Sequence, residues 1–173
     1  MMATRVHARL VDELHEAGVD FVASLPDSRI APLIEAVEAD DRFRHVALSR
    51  EDEGVGVCAG AWFGGATPCL LIQNSGLLES VNDLVTLSIF SQVPLLLVVA
   101  YRGYLGEAHW YHGPVGRVTE AVLDALSIPY AVADDPDGVG TTLARARLLA
   151  ETSSHPVCVL LTLNALEGGH APD

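Results

Sequence analysis

Six short apolar runs alternate with stretches of helical periodicity along the chain. The run Pro94 to Ala100 (Pro-Leu-Leu-Leu-Val-Val-Ala) is apolar at every position, which is typical of a central strand covered on both faces. We predict strands at residues 19–25, 45–48, 68–73, 94–100, 129–133 and 156–163. This alternation predicts a three-layer α/β/α fold with a six-stranded, mostly parallel, doubly wound sheet.

Composition narrows the class of protein and its partners. The 173 residues suit one domain, which we expect at residues 1–166, followed by a polar tail at residues 167–173. Half of the residues are hydrophobic, so we expect another subunit to cover part of the surface. A net charge of −13, with ten arginines and no lysine, argues against a nucleic-acid partner.

Apolar run length and cysteine spacing bear on the cellular location. No apolar run reaches the roughly 18 residues that a membrane-spanning helix needs, and the first residues lack an apolar signal segment. We therefore expect a cytoplasmic protein without a membrane partner. Cys58, Cys69 and Cys158 lie in apolar runs without the spacing of a metal site or a disulfide framework, which predicts buried reduced thiols.

Three acidic residues open a helix whose other residues are almost all small or apolar. Glu51 shares one helical face with the apolar residues Val55, Cys58, Ala59 and Trp62. Asp52 follows Ser49 by three positions and is expected to complete a capping box, while Glu53 is expected to face water or a partner. Because acidic residues also favour helix N-termini through the helix dipole, the helical register alone leaves the role of Glu51 open.

Four distinctive loops follow predicted strands, at residues 26–29, 49–51, 73–76 and 101–114. Ligands of parallel sheets bind at the carboxyl ends of strands, so these loops predict a site at that edge. The chain lacks the glycine motifs of dinucleotide and P-loop binding and the nucleophile elbow of serine hydrolases. By itself, Asp27 after Pro26 is also typical of a turn or helix cap, and Asn74 of a helix entry.

A set of motifs in these loops carries a family resemblance. They are Leu25-Pro26-Asp27-Ser28, Ser49-Arg50-Glu51 through Ala59-Gly60, Gln73-Asn74-Ser75-Gly76-Leu77, Arg102-Gly103, Gly116-Arg117-Val118-Thr119 and Ile128-Pro129. Their order and spacing over residues 5–165 resemble thiamine-diphosphate-dependent decarboxylases. More narrowly, the chain resembles the pyrimidine-binding domain of sulfopyruvate and phosphonopyruvate decarboxylases.

The resemblance implies roles for residues on the cofactor side of a site. The family places a glutamate nine residues before the glycine of an Ala-Gly pair, and counting back from Gly60 gives Glu51. The resemblance implies that Glu51 is catalytic and hydrogen-bonds N1′ of the aminopyrimidine of thiamine diphosphate, which helps to remove the proton at C2. Asn74, Ser75 and Gly76 are then expected to shape the pocket over the pyrimidine ring.

The resemblance also implies a substrate side. Asp27 and His112 are the candidates for handling substrate and for supplying the proton that replaces carbon dioxide, with Ser28 and Arg102 as further substrate-binding residues. The expected substrate is a small anionic 2-oxo acid, sulfopyruvate or phosphonopyruvate. Arg29 and Arg50 are further candidate cations, and each arginine is equally suited to pairing with an acidic side chain.

One departure from the family predicts a partner subunit. The family binds diphosphate and Mg²⁺ through Gly-Asp-Gly followed by an asparagine, and no Gly-Asp-Gly occurs here. We therefore expect an α-type subunit without a metal site, which shares thiamine diphosphate with a diphosphate-binding β-type subunit that holds Mg²⁺, in an α2β2 or larger assembly. The alternatives are a carboligase subunit, a non-catalytic subunit that retains the fold, and a flavodoxin-like binding module.

Overall fold

The computed structural model describes the backbone of residues 2–168 and the side chains of residues 5–168. Its strands are β1 (Phe21–Ser24), β2 (Arg44–Ala47), β3 (Pro68–Gln73), β4 (Leu95–Ala100), β5 (Tyr130–Ala133) and β6 (Pro156–Leu161). Its α-helices are α1 (Met2–Glu16), α2 (Ala31–Glu38), α3 (Glu51–Phe63), α4 (Asn74–Glu79), α5 (Val81–Asp83), α6 (Gly113–Ala125), α7 (Val139–Ser153) and α8 (Leu163–Glu167). A π-helical turn spans Leu84–Ile89, and 3-10 turns span Trp110–His112 and Pro136–Gly138.

The six strands form one sheet in the order β2-β1-β3-β4-β6-β5, and every neighbouring pair is parallel. The predicted α/β fold is therefore confirmed, with a sheet that is parallel throughout. Strand β2 lies on one side of β1, and β3, the next strand along the chain, lies on the other side of β1. Because the direction of winding reverses there, the switch point where ligands of such sheets bind lies between β1 and β3.

Helices cover both faces of the sheet, as the apolar pattern of β4 requires. Alternate residues of β4 enter two separate cores. Leu96, Val98 and Ala100 pack with apolar residues of α1, α2, α7 and α8. Leu95, Leu97 and Val99 pack with apolar residues of α3, α4 and α6. The cores therefore fix the side of the sheet on which each helix lies.

After β3 the sequence predicts a tight loop at residues 74–76 and one helix at residues 78–90, and the structure differs from this prediction. Asn74 begins α4 directly, so the predicted loop is the first turn of a helix. The helix is then interrupted near Ser80, whose hydroxyl donates to the carbonyl oxygen of Gly76 at 2.8 Å. A side-chain hydroxyl that bonds the preceding turn disturbs regular helical geometry, and the following turn is π-helical.

The end of the last strand also differs from the prediction. Strand β6 ends at Leu161 rather than at residue 163. The hydroxyl of Thr162 accepts a hydrogen bond from the backbone N–H of Ala165 at 3.3 Å and caps α8. The predicted polar tail at residues 167–173 thus begins at the last residue of a helix, and its residues 169–173 lie outside the described part of the chain.

The three cysteine thiols are buried and unpaired, as predicted. Burial raises the pKa of Cys58 to about 12 and also raises the pKa of Cys69 and of Cys158. Between residues 2 and 168, no helix is long and apolar enough to cross a membrane. The expected cytoplasmic location stays a prediction.

Candidate functional site

The four distinctive loops meet at one edge of the sheet. They follow β1, β2, β3 and β4, which are consecutive neighbours in the order β2-β1-β3-β4. All four strands point in the same direction, so their carboxyl ends lie at the same edge. This edge includes the switch point between β1 and β3.

Glu51 is the first residue of α3, and its side chain is half-buried beside α4. A Cβ atom added to Gly76 would lie 2.5 Å from Oε1 of Glu51 and 2.6 Å from its Cδ. No side chain larger than hydrogen therefore fits at residue 76 while Glu51 keeps this position. Residues Val55, Cys58 and Ala59 of the same helical face are buried, as the register predicted.

The acidic residue that caps α3 is Glu53, so the prediction for Asp52 is wrong. Arg50 is the N-cap residue, and the carboxylate of Glu53 accepts hydrogen bonds from the backbone N–H groups of Ser49 and Arg50. The helix begins one residue later than the Ser49 capping box requires, which moves the capping position from 52 to 53. Asp52 instead pairs with the Arg50 side chain at 2.9 Å and accepts from the backbone N–H of Glu53 at 2.9 Å.

Asn74 connects the loops that follow β3 and β4. Its side chain is fully buried, and its Nδ2 donates to the carbonyl oxygen of Arg102 at 2.8 Å and to the hydroxyl of Thr119 at 2.9 Å. Its Oδ1 accepts from the backbone N–H of Arg102 at 3.1 Å. Ser75 is exposed. Of the three predicted pocket residues, Gly76 therefore contacts Glu51, while Asn74 holds the backbone of Arg102.

Asp27, Ser28 and Arg102 lie together. Oδ1 of Asp27 accepts from the backbone N–H groups of Arg29 and Ile30 and so closes the turn that precedes α2. Its Oδ2 accepts from Nη1 of Arg102, which also donates to the Ser28 hydroxyl at 3.2 Å. The exposed fraction is 3% for the Arg102 side chain and 7% for that of Asp27. The structure thus brings together three of the four predicted substrate-side residues, with Ser28 bonded to the buried ion pair of Asp27 and Arg102.

Glu107 is a member of this cluster that sequence reasoning missed. Its carboxylate accepts from Nη2 of Arg29 at 2.9 Å and from Nε of Arg102 at 3.1 Å, and its side chain is 6% exposed. Burial alone would raise the pKa of Glu107, but hydrogen bonds from the His109 backbone, Arg102 and the Gly103 backbone, with the charge of Arg29, lower it to about 2. The sequence offered one indication of its role: Glu107 is an acidic residue that follows Arg102 by five positions in the same loop.

His112 is half-buried at the end of the 3-10 turn and is the fourth predicted substrate-side residue. Its ring packs against that of Tyr111, with 4.5 Å between ring centroids. Burial, and next the nearby charge of Arg102, lower the pKa of His112. Its imidazole is therefore mainly neutral at neutral pH, since an ordinary histidine titrates near 6.5.

Two glycines hold the base of the loop that carries His112. Gly103 has a φ of +78°, which favours glycine. A Cβ on Gly103 would lie 3.0 Å from Cα of Gly116, and a Cβ on Gly116 would lie 2.8 Å from Cα of Gly103. The loop after β4 and the first turns of α6 therefore meet backbone to backbone.

Across residues 5–168, no three histidine, cysteine or acidic side chains are grouped to hold a metal ion.

Residues 4–123 match the family model of the thiamine pyrophosphate enzyme N-terminal TPP binding domain. The chain belongs to this family. The sulfopyruvate decarboxylase subunit alpha of Methanococcus maripaludis is 35% identical over 146 residues, which cover 84% of this chain and 87% of that subunit. The phosphonopyruvate decarboxylase of Streptomyces viridochromogenes is 35% identical over 142 residues, which cover 81% of this chain but 36% of that protein.

The benzoylformate decarboxylase of Polynucleobacter necessarius has the same fold as this TPP binding domain. Its structure superposes with a TM-score of 0.72 at 17% sequence identity, covering 99% of this chain and 31% of that one. At this identity the likeness concerns the fold alone. The match thus covers most of the Methanococcus maripaludis subunit, but only about a third of the phosphonopyruvate decarboxylase and of the benzoylformate decarboxylase.

The residues at the carboxyl edge fit the pyrimidine end of thiamine diphosphate. Glu51 presents a half-buried carboxyl group at the open end of the sheet, and the missing side chain at Gly76 makes room for that carboxyl group. A carboxyl group can hydrogen-bond a ring nitrogen of an aminopyrimidine.

Proposed function

We propose that the chain is the α-type subunit of a split thiamine-diphosphate-dependent 2-oxo acid decarboxylase, with its pyrimidine-binding domain at residues 1–166. The observation that carries the proposal is the contact between Glu51 and Gly76 at the carboxyl edge of a sheet of this family. The similarity to a sulfopyruvate decarboxylase subunit alpha over 87% of that subunit supports a separate subunit. Sulfopyruvate and phosphonopyruvate are the substrates we propose, since the relatives named above act on these acids.

Glu51 is the proposed catalytic group on the cofactor side. Its carboxyl group would hydrogen-bond N1′ of the aminopyrimidine and hold a proton there, while Gly76 and Ser75 would line the ring and Asn74 would keep α4 in place. Thiamine diphosphate supplies the electron sink that accepts the electron pair left when carbon dioxide departs. The remaining steps need a substrate held beside it and a proton for the carbon that loses the carboxylate.

Asp27, Ser28, Arg102 and His112 are the proposed substrate side. The Asp27–Arg102 pair is buried, so its charges are held in fixed positions instead of being screened by water. His112 is more accessible, and its neutral ring offers an N–H donor and an acceptor nitrogen to substrate. We propose that His112 takes up a proton from water on its acceptor nitrogen, delivers it as imidazolium to the carbon that lost carbon dioxide, and returns to its neutral form. Asp27 and Arg102 would orient the anionic acid.

A β-type subunit is the proposed partner, in an α2β2 or larger assembly. It would bind the diphosphate and Mg²⁺, since the Gly-Asp-Gly motif through which the family binds them does not occur in this sequence. Large apolar side chains are exposed on this chain, and burying them would favour association. Among them, Phe90, Leu105 and Trp110 are each more than 80% exposed.

The test is carbon dioxide release by the chain co-expressed with a β-type subunit, in the presence of thiamine diphosphate and Mg²⁺. Sulfopyruvate, phosphonopyruvate and pyruvate are compared. We expect release from one of the two anionic acids and none from either subunit alone. Glu51→Gln should assemble and lose at least about 100-fold in turnover, whereas Asp52→Asn, one residue away, should keep it.

The outcomes separate the proposal from its competitors. Full activity of Glu51→Gln would remove the assigned role of Glu51. A stable complex that binds thiamine diphosphate but releases no carbon dioxide from any of the three acids would refute the decarboxylase proposal and favour a carboligase. A complex that binds no cofactor would favour a non-catalytic subunit, and flavin binding by the isolated chain would favour a flavodoxin-like module.

A further inference from the structure

Four donors converge on the carboxylate of Glu107. Oε1 accepts from Nη2 of Arg29 at 2.9 Å and from the backbone N–H of His109 at 3.1 Å. Oε2 accepts from Nε of Arg102 at 3.1 Å and from the backbone N–H of Gly103 at 3.3 Å. With only 6% of its side chain exposed, Glu107 is the centre of the loop that connects β4 to α6.

The bonds of Glu107 join parts of the sheet edge that are not neighbours. Arg29 lies in the loop after β1, Arg102 lies after β4, and β3 separates the two strands. Arg102 is also bonded through its backbone to Asn74 at the start of α4 and through its side chain to Asp27. Glu107 therefore completes a network across the carboxyl ends of three strands.

Glu107 balances the charges of the buried cluster in which it lies. Arg29 and Arg102 carry two positive charges, and Asp27 and Glu107 carry two negative charges, so the cluster is neutral as a whole. A buried arginine that loses one carboxylate is strongly destabilised. Replacing Glu107 by glutamine keeps the size of the side chain but leaves the two guanidinium groups with one carboxylate between them.

We propose that Glu107 is a positioning residue of the substrate side, which holds the loop of residues 103–112 so that His112 and Arg102 keep their places. This inference rests on the proposed function. Glu107 acts through these residues and does not contact the aminopyrimidine site that we propose at Glu51. Its loss should therefore affect the 2-oxo acid, and not the binding of thiamine diphosphate.

The experiment compares Glu107→Gln with Glu120→Gln in the complex with the β-type subunit. Glu120 is a matched control because its carboxylate accepts from two neutral donors, the hydroxyl groups of Tyr101 and Tyr130. For Glu107→Gln we expect kcat/KM for the 2-oxo acid to fall by about 10- to 100-fold, with half-saturation by thiamine diphosphate within about threefold of wild type. Glu120→Gln should keep the wild-type kcat/KM for the 2-oxo acid and the wild-type half-saturation by thiamine diphosphate.

A second readout uses the full chain without partner or cofactor. Amide hydrogen exchange at Gly103 and His109, whose N–H groups bond Glu107, should accelerate in Glu107→Gln and not in Glu120→Gln. If Glu107→Gln does not fold, Arg29→Gln removes one of its four donors and should show the same pattern at smaller amplitude.

Two results would overturn the inference. One is an unchanged kcat/KM for the 2-oxo acid in Glu107→Gln, and the other is a parallel loss of thiamine diphosphate affinity, which would indicate a general structural role. If the wild-type complex is inactive, the proposed function fails separately. Unchanged amide exchange in the isolated chain would then still refute the holding role of Glu107, and faster exchange would support it.

Discussion

The side chain of Glu51 occupies the space that a Cβ atom of residue 76 would need. That atom would lie 2.5 Å from Oε1 of Glu51, well inside van der Waals contact. The two residues come from different helices, α3 and α4, which follow β2 and β3. A glycine in α4 thus sets where the carboxyl group at the start of α3 can lie.

Gly76→Ala should therefore displace Glu51 without unfolding the chain. The clash involves a flexible side chain, which can change rotamer, so we expect the stability to change by less than about 1 kcal/mol. Activity of the complex should fall at least about tenfold. Gly60→Ala is the control, since a Cβ there meets nothing within 4 Å, and we expect it to raise the stability of the isolated chain by about 0.5 kcal/mol. Wild-type activity in Gly76→Ala would show that Glu51 need not keep this position.

Glu53, rather than Asp52, should contribute the free energy of unfolding that comes from capping α3. Glu53→Ala removes the acceptor for the N–H groups of Ser49 and Arg50 and should lower the free energy of unfolding by about 1 kcal/mol. Asp52→Ala removes an exposed pair with Arg50 and one hydrogen bond from the backbone N–H of Glu53, and should have a smaller effect than Glu53→Ala. Urea denaturation of both variants measures this, and the reverse order would mean that the capping position has been assigned wrongly.

Asp27→Asn should destabilise the chain through charge and not through the loss of the turn that precedes α2. Asparagine still accepts from the N–H groups of Arg29 and Ile30, but it leaves the buried Arg102 with one carboxylate fewer. We expect a loss of roughly 3 kcal/mol in the free energy of unfolding. The double variant Asp27→Asn/Arg102→Gln should cost less than the sum of its two single variants. Additive losses would contradict a direct pairing.

Glu107 should stabilise the chain only above acid pH. Its pKa is about 2 in the folded chain against an ordinary 4.5, so the unfolded state binds more protons between these values. The stabilisation is complete above the ordinary pKa and is lost as the pH falls towards 2. The difference in unfolding free energy between wild type and Glu107→Gln should narrow by about 2 kcal/mol between about pH 6 and pH 3. A constant difference in denaturation experiments would contradict this.

The three thiols should be unreactive in the folded chain. Cys58, Cys69 and Cys158 are buried, and burial raises the pKa of each thiol, which leaves almost no thiolate at neutral pH. Ellman's reagent should label none of them within minutes in native buffer and all three in denaturant. Rapid labelling of the native chain would show that this core opens.

Features with a clear period along the chain could be predicted. The six strands were located because their apolar runs are short and continuous, and the strand β4 enters both cores as its all-apolar pattern requires. The apolar face below Glu51 followed from the helical period. Features that depend on one hydroxyl or one residue of register were missed, such as the interruption at Ser80 and the capping role of Glu53.

The sequence by itself determined the alternation of strands and helices, the family, and the edge of the sheet at which the candidate residues lie, because each of these follows from local patterns. Only the tertiary structure decided how those residues are connected. Asp27 and Arg102 are 75 positions apart, and Arg29 and Glu107 are 78 positions apart. Their pairing depends on β1, β3 and β4 lying side by side, and no local pattern encodes which buried arginine meets which carboxylate.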